Sequence, residues 1–137
     1  MHALRTGLDE CEAGLTIPSA ARPGFAGHAL RHTLFAGEPL SGSLVRSWRA
    51  AFPQSEIYNL YGPTETTLAR FCARIALPAP DGMMPCGHPL PQASAVVVDE
   101  ARAPLPPGEI GEVAIATPHR SLGYLDPVQT RERFVRA

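Results

Sequence analysis

The first part of the chain has alternating apolar and polar positions. Within Leu30–Ala36, the apolar side chains Leu34 and Ala36 alternate with Arg31 and Thr33. This period of two is typical of a strand that has one face against a core. We therefore predict a strand over Leu30–Ala36 whose apolar face carries Leu34 and Ala36.

The next segment, Leu40–Phe52, has the period of an amphipathic helix. Leu44 and Trp48 recur at helical spacing within it, and Pro53 ends the pattern. Glu56–Leu60 then reads as a second short strand. A strand, a helix and a strand in this order predict a parallel βαβ unit, which as a rule belongs to a larger sheet with both faces covered.

The second half of the chain has shorter elements separated by proline-rich loops. Thr66–Ile75 has a mixed pattern that is compatible with a strand, and residues 76–92 form a loop rich in Pro and Gly. Ser94–Asp99 and Ile110–Thr117 are clear strands. We expect these two strands to pair antiparallel within a small sheet or barrel.

A last helix begins near the end of the chain. Asp126 is suited to the N-cap, Pro127 to the first helical position and Gln129 to the third, and the helix runs toward Phe134. The predicted fold class is therefore α/β, with a partial parallel βαβ unit followed by antiparallel strands.

The amino-acid composition restricts the possible functions more than it restricts the possible folds. The formal net charge is −1 and no basic face stands out, which argues against a nucleic-acid-binding protein. All twelve basic residues are arginine, so the chain has no lysine. Mechanisms that need a lysine for a Schiff base or for holding a phosphoryl group are therefore closed to this chain alone.

The cysteines and the hydropathy indicate a cytoplasmic protein. The chain has an odd number of cysteines, and no two of them have the spacing of metal ligands: Cys11, Cys72 and Cys86. We therefore interpret them as reduced thiols. No apolar run approaches the roughly 20 residues of a membrane span, and the sequence shows no signal-peptide pattern.

Candidate chemistry is concentrated where the second predicted strand ends. Ligands of open α/β sheets bind beyond the carboxyl ends of the strands. There Tyr61 offers a ring for a purine, and Gly62 and Pro63 force a turn. Thr64 and Thr66 supply hydroxyls for phosphate, and Glu65 supplies one carboxylate. Mg²⁺ on a nucleotide commonly takes one or two protein carboxylates. An ordinary polar corner between a strand and a loop is the alternative interpretation.

Five segments lie in order along the chain: Leu30–Leu40, Asn59–Thr67 (NLYGPTETT), Cys86–Leu90, Pro107–Leu125 and Thr130–Phe134. Together they resemble motifs of the adenylate-forming superfamily, in the form typical of peptide-synthetase adenylation domains. The second segment is similar to the N-x-Y-G-P-T-E-T motif, which is among the more specific ones of that family. The other four resemble, in order, its L-R…G-G-E-x-L, I-G-x-P, G-E-L-x-I…G-Y-L and T-x-E-R-F motifs. Departures are Ala36 in place of the first glycine of G-G-E and a Thr117–Leu122 segment without the usual glycines.

This resemblance implies an enzyme that joins a carboxylate to ATP, releases pyrophosphate and passes the acyl group from the adenylate to a thiol. The thiol is usually the phosphopantetheine of a carrier protein. The resemblance implies that Tyr61 stacks on adenine and that Asn59 lies near the adenine edge. Thr64 would contact the α-phosphate and Glu65 would hold Mg²⁺. The wall beside the adenine would be formed by Gly37 and Glu38, with Gly62 in the nucleotide-binding turn.

The resemblance also implies an acyl pocket and a division of the chain. The pocket would be lined in part by apolar residues, which favours an apolar amino or aryl acid: Leu34, Ala36, Leu60, Leu68 and Ala69. Residues 1–82 would belong to a Rossmann- or flavodoxin-like nucleotide-binding subdomain. Residues 83–137 would belong to a β-barrel subdomain with the start of a helix.

The family's lysine-bearing phosphate loop, its T-G-D segment and its small C-terminal domain have no counterpart in these residues. We therefore expect the chain to be part of a larger adenylation domain and to be inactive alone. Its partners would be ATP, a carboxylic or amino acid, a carrier protein and the rest of the domain. Two alternatives stay open: a stand-alone, non-catalytic module that binds a nucleotide or a protein, and a fragment of an acyl-CoA ligase.

Overall fold

The computed structural model describes residues 30–135, and it begins with the expected βαβ unit. Strand β1 is His32–Ala36, helix α1 is Gly42–Ala51, and strand β2 is Glu56–Tyr61. β1 and β2 pair in parallel, with the Cα of Ala36 opposite that of Leu60. The prediction of a parallel βαβ unit is therefore confirmed, with a β1 that is two residues shorter than expected.

Helix α1 is fixed at both ends by side chains that are close in sequence. The Ser41 side chain caps the first turn by accepting a 3.2 Å hydrogen bond from the backbone N–H of Leu44. This bond satisfies one of the donors that a helix leaves unpaired at its start. In the last turn, Arg49 donates a 2.9 Å hydrogen bond to the carbonyl oxygen of Ser55, which fixes the entry into β2.

The core lies between α1 and one face of the sheet. Its buried apolar residues are Leu40, Val45, Ile57, Ala73, Ile75, Ala79 and Met84. Phe35 and Trp48 pack against this cluster, with their rings edge to face at a centroid distance of 5.4 Å. Burial of this apolar surface is the main term that stabilises the unit.

The predicted apolar face of β1 is on the other side of the sheet. Leu34 is 60% exposed and Ala36 is also exposed, whereas Thr33 and Phe35 face α1. Thr33 is accommodated there because its hydroxyl accepts a 2.9 Å hydrogen bond from Trp48 Nε1 and lies 2.8 Å from Ser55 Oγ. The alternation predicted that Thr33 points away from the core. Thr33 can face the helix because both of its hydrogen-bond partners lie there.

Two antiparallel strands extend this sheet. Strand β3 is Phe71–Arg74 and strand β4 is His88–Pro89, which gives a four-stranded sheet in the order β1-β2-β3-β4. The strand predicted within Thr66–Ile75 therefore forms only in the second half of that range. A 3₁₀ turn at Thr64–Thr66 and a loop take the first half.

A second, two-stranded sheet follows. Strands β5, Ser94–Val98, and β6, Glu112–Ala116, pair antiparallel as predicted. Helix α2, Pro127–Arg133, begins as expected, with the Asp126 carboxylate accepting a 2.7 Å hydrogen bond from the backbone N–H of Val128. The prediction of a partial α/β unit followed by antiparallel strands is confirmed. Neither helix of the described residues is long and apolar enough to cross a bilayer.

Candidate functional site

The predicted nucleotide-binding turn leaves the sheet at the end of β2. Pro63 precedes the 3₁₀ turn, and its carbonyl oxygen accepts hydrogen bonds from the Thr66 N–H at 2.9 Å and the Thr66 hydroxyl at 3.0 Å. Gly62 fits because a Cβ there would lie 2.9 Å from Ala69 Cα. The turn is thus tightly closed. It leaves Thr64 exposed and Glu65 half-buried.

Arg70 holds this turn against the start of β3. Its Nε donates a 2.6 Å hydrogen bond to the carbonyl oxygen of Thr66, and another guanidinium nitrogen donates to the Thr67 hydroxyl. Its backbone N–H donates a 2.7 Å bond to the carbonyl oxygen of Tyr61. One residue therefore bonds three members of the segment and ties the turn to the start of β3.

Tyr61 and Glu65 lie close together at this end of β2. The Tyr61 ring is half-buried and packs on Phe71 at a centroid distance of 5.8 Å. Burial raises the pKa of the Tyr61 phenol, and the nearby Cys86 and Glu65 raise that pKa further. Tyr61 ends β2 and Glu65 follows four residues later in the 3₁₀ turn, so both belong to the same corner of the sheet.

Gly37 and Glu38 leave the sheet at the same edge. They follow Ala36, which pairs with Leu60 at the end of the parallel ladder. Both residues are exposed, and Gly37 has a φ of 96°, in the region that favours glycine. The structure therefore brings the predicted adenine wall to the edge from which Tyr61 emerges.

Asn59 has a structural partner. It is 5% exposed, and its side-chain amide donates a 2.9 Å hydrogen bond to the carbonyl oxygen of Pro85. The bond ties β2 to the segment that leads into β4. The contact of Asn59 with an adenine edge stays a prediction. In the structure, Asn59 has a separate role in holding two segments of the sheet together.

The predicted acyl-pocket residues occupy two places. Leu34, Ala36 and Leu60 share the sheet face that points away from α1, as their register requires. Leu68, which is 80% exposed, and the half-buried Ala69 lie in the loop between the 3₁₀ turn and β3. The structure thus places three of the five on one apolar surface and the other two in an adjoining loop.

Glu65 is bound by Tyr124, a residue for which the sequence analysis predicted no role at the site. The hydroxyl of Tyr124 donates a hydrogen bond to Glu65 Oε1, and the backbone N–H of Ser121 donates a 2.6 Å bond to the carbonyl oxygen of Glu65. The carboxylate raises the pKa of the Tyr124 phenol because it accepts the phenolic proton. Both the side chain and the backbone of Glu65 are therefore held by the segment after β6.

Tyr124 is itself held by helix α2. Its backbone N–H donates a 2.8 Å hydrogen bond to Thr130 Oγ1, and its ring meets Phe134 edge to face at 5.5 Å. Gly123 packs so closely on Thr130 that a Cβ would lie 2.5 Å from its methyl carbon. The motif segments around Gly123 and Thr130, which were identified separately, are thus one structural unit beside Glu65.

A cleft opens between the turn, strand β6 and helix α2. It is an open cleft whose space, with open solvent included, amounts to about 550 Å³. Glu65 lines the cleft together with two arginines, a tyrosine, a threonine and apolar groups: Pro63, Thr66, Ala114, Ile115, Arg120, Tyr124, Arg133, Phe134 and Val135. Among the predicted site residues, Glu65 and Thr66 line this space. The prediction that the Thr66 hydroxyl meets phosphate is not supported, because that hydroxyl is buried and donates to the Pro63 carbonyl oxygen. The Glu65 carboxylate thus lines a cleft that also contains two guanidinium groups.

Comparisons with known proteins agree with these motifs. The AMP-binding enzyme family matches residues 6–125. The probable non-canonical nonribosomal peptide synthetase CymA of Salinispora arenicola (strain CNS-205) is 42% identical over 121 residues, which are 88% of this chain and 2% of that protein. The D-alanine–D-alanyl carrier protein ligase of Streptococcus pyogenes serotype M5 (strain Manfredo) is 38% identical over 109 residues, which are 77% of this chain and 21% of the ligase.

A solved structure gives the same assignment. The Vibrio cholerae adenylation domain AlmE, in complex with glycyl-adenosine-5'-phosphate, superposes with a TM-score of 0.69 at 29% identity. The match covers 79% of this chain and 22% of that structure. The chain thus spans about a fifth or less of each of these three proteins. Because the family match extends over most of the sequence, the chain belongs to the AMP-binding enzyme family, as part of an adenylation domain.

Proposed function

We propose that this chain is a segment of an adenylation domain that activates a carboxylic or amino acid with ATP. In the complete domain, a carboxylate oxygen of the acid attacks the α-phosphorus of ATP and pyrophosphate leaves. The acyl group then passes to the phosphopantetheine thiol of a carrier protein, in nonribosomal peptide biosynthesis. The observation that carries the proposal is that Tyr61 ends the parallel strand β2 and Glu65 lies in the 3₁₀ turn that follows it.

The proposed roles of the nucleotide-site residues follow from their positions. The Tyr61 ring, which Phe71 supports, stacks on the adenine, and the exposed Gly37–Glu38 bend lies beside it. Asn59, two residues before Tyr61 in β2, lies near the adenine edge. The exposed Thr64 offers its hydroxyl to the α-phosphate, and the close packing of Gly62 keeps the turn narrow.

Glu65 fits the role of a ligand to nucleotide-bound Mg²⁺. Among residues 30–135, no cluster of three or more His, Cys, Asp or Glu side chains could hold a metal ion without a nucleotide. Mg²⁺ on a nucleotide needs only one or two protein carboxylates in addition to phosphate oxygens, and Glu65 is a half-buried carboxylate at the edge of a cleft. The ion, when bound, neutralises charge on the reacting phosphates.

The apolar surface formed by Leu34, Ala36 and Leu60 is the proposed floor of the acyl pocket. With Leu68 and Ala69 it presents aliphatic groups, and Leu34 and Leu68 are largely exposed in this chain. The pocket therefore favours an apolar amino or aryl acid. The proposed division assigns residues 1–82 to the α/β subdomain and 83–137 to the β-barrel subdomain, with further parts of the domain completing both. Met84 and strand β4 lie beyond this boundary, although Met84 packs in the first core and β4 pairs with β3.

The isolated chain should not catalyse adenylate formation. Its 137 residues contain no lysine, so a lysine ammonium cannot stabilise the charge that develops on the transferring phosphate. Catalysis of phosphoryl and nucleotidyl transfer is largely electrostatic, so the missing cation should lower the rate by orders of magnitude.

Calorimetric titration of the purified chain with AMP tests the nucleotide site. Substitution of Tyr61→Ala should weaken AMP binding by about tenfold, the loss expected when a base loses its aromatic platform. Tyr58→Ala is the matched control, since Tyr58 bonds to Glu56 away from the turn. Absence of AMP binding by the wild-type chain, or equal weakening by both substitutions, would contradict the proposed site.

Pyrophosphate exchange tests the prediction of inactivity. The chain should show no exchange above background with a panel of amino and aryl acids. Clear exchange would show that the lysine-free chain is sufficient for catalysis. The DNA around the coding region provides a further test, since a phosphate-loop motif with lysine, in frame upstream, separates an adenylation segment from a stand-alone binding module.

A further inference from the structure

We infer that Tyr124 is a positioning residue that orients the Glu65 carboxylate toward the metal–nucleotide complex. The inference rests on the proposed function, because it assigns Tyr124 a role through the proposed metal ligand. Its basis is the hydrogen bond from the Tyr124 hydroxyl to Glu65 Oε1. The two residues are 59 positions apart, so the bond joins the turn after β2 to the segment after β6.

The geometry restricts Glu65 at two points. Ser121 N–H fixes the Glu65 backbone through a 2.6 Å bond to its carbonyl oxygen, and the Tyr124 phenol fixes one carboxylate oxygen. A glutamate side chain loses considerable rotamer freedom when it binds an ion. Because the hydrogen bond from Tyr124 already restricts the Glu65 side chain, less conformational entropy is lost when Glu65 binds the ion.

Tyr124 can hold Glu65 because Tyr124 is itself rigidly placed. Thr130 Oγ1 accepts a 2.8 Å hydrogen bond from the Tyr124 N–H and donates to its carbonyl oxygen at 3.2 Å. Phe134 packs on the edge of the tyrosine ring. A donor that is held by backbone bonds and by ring packing can define the orientation of its acceptor, as the outer partners of metal ligands do.

The bond to Glu65 Oε1 depends on the Tyr124 hydroxyl alone. A phenylalanine at this position keeps the ring contact with Phe134 and removes only the donor. Tyr124→Phe is therefore the minimal change that separates positioning of Glu65 from packing of helix α2.

The test compares nucleotide binding with and without the metal. Affinity of the 137-residue chain for ATP is measured by calorimetry with Mg²⁺ and with EDTA, for the wild type, Tyr124→Phe, Glu65→Gln and Tyr58→Phe. Wild-type affinity should rise with Mg²⁺. Tyr124→Phe should reduce that Mg²⁺ enhancement by about tenfold. Glu65→Gln should abolish the enhancement, and Tyr124→Phe should bind metal-free ATP as tightly as the wild type does.

Tyr58→Phe is the matched control because Tyr58 also donates a hydrogen bond to a glutamate, at 2.7 Å to Glu56 Oε2. It should keep the full Mg²⁺ enhancement. A merely structural role of Tyr124 would weaken binding of both forms of ATP equally, and that result overturns the inference. Full enhancement in Tyr124→Phe overturns it as well, while the proposed function stands.

Two further outcomes are decisive. If the wild-type chain binds neither form of ATP, the proposed function and the inference both fail. A double-mutant cycle on urea unfolding with Tyr124→Phe and Glu65→Gln tests the bond without any nucleotide. Non-additive effects support the bond, and additive effects would show that the two side chains do not interact.

Discussion

The side-chain amide of Asn59 and the carbonyl oxygen of Pro85 are joined by a 2.9 Å hydrogen bond. Asn59 lies within β2, two residues before Tyr61, and is 5% exposed. Pro85 precedes the Cys86–Leu90 motif, so the bond connects two motif segments that are distant in sequence. The residue with a predicted place near adenine thus also maintains the sheet that carries the site.

Replacing this amide should destabilise the chain even without a nucleotide. Asn59→Ala leaves the Pro85 carbonyl without its side-chain donor, which we expect to lower the free energy of unfolding by about 1–3 kcal/mol. Urea unfolding monitored by Trp48 fluorescence measures the change. The exposed Gln54→Ala is the control and should stay within about 0.5 kcal/mol of the wild type. Equal stability of both variants would show that the bond is energetically unimportant.

Two glycines with similar backbone conformations should respond differently to alanine. Gly87 has a φ of 83° and a Cβ there would lie 2.0 Å from the Cys72 carbonyl oxygen. Gly82 has a φ of 90° and open space around it. Gly82→Ala should therefore lose only the conformational term of about 1–2 kcal/mol.

Gly87→Ala adds a backbone clash to this conformational term, because the clash can be relieved only by moving β4 away from β3. The loss should exceed about 3 kcal/mol, the upper end of ordinary substitutions. Thermal and urea unfolding of both variants measure the difference. Similar losses for the two alanines would contradict the close approach of Gly87 to Cys72.

The face of β1 that meets the helix can be identified by truncation. Phe35→Ala removes the ring that packs on Trp48 and should lower the free energy of unfolding by about 3 kcal/mol, the low end for phenylalanine in a core. Leu34→Ala, on the exposed face, should change it by less than about 0.5 kcal/mol. A larger effect at Leu34 would show that the strand faces the other way, or that another segment covers that face.

A network around Glu56 should make stability depend on pH in the acid range. The Tyr58 hydroxyl, 2.7 Å from Glu56 Oε2, is the main reason that the pKa of Glu56 lies below its ordinary value of 4.5. The Arg74 guanidinium and His32 lower that pKa further, while burial opposes them. The folded chain therefore holds this proton less tightly than the unfolded chain.

The sign of the pH effect follows from this difference. The stabilisation by Glu56 is fully present above about pH 4.5, the ordinary pKa, and is lost as the pH falls through the lowered pKa. Tyr58→Phe should raise the Glu56 pKa and reduce this loss, whereas Tyr61→Phe should not. Carbon-13 NMR titration of the glutamate carboxyls measures the pKa in each variant. An unchanged Glu56 pKa in Tyr58→Phe would refute the assignment of its main cause.

Short-range sequence patterns correctly predicted the elements that are stabilised by residues close to one another in sequence. Helix α1 follows the period of its apolar residues and ends before Pro53, and α2 begins at the Asp126 cap as the sequence indicated. The strand pairs β1–β2 and β5–β6 followed from the order of the elements along the chain. The Asn59–Thr67 motif placed Tyr61 and Glu65 at the end of a strand, which the structure confirms.

The sequence by itself determined the family, the order of the elements and the turn that carries the candidate chemistry, because these depend on short-range periods, caps and motifs. Only the tertiary structure decided which face of β1 is covered and that Tyr124 holds Glu65. The first depends on a Trp48 side chain that satisfies the Thr33 hydroxyl. The second joins residues 59 positions apart, and a contact over that distance leaves no period in the sequence.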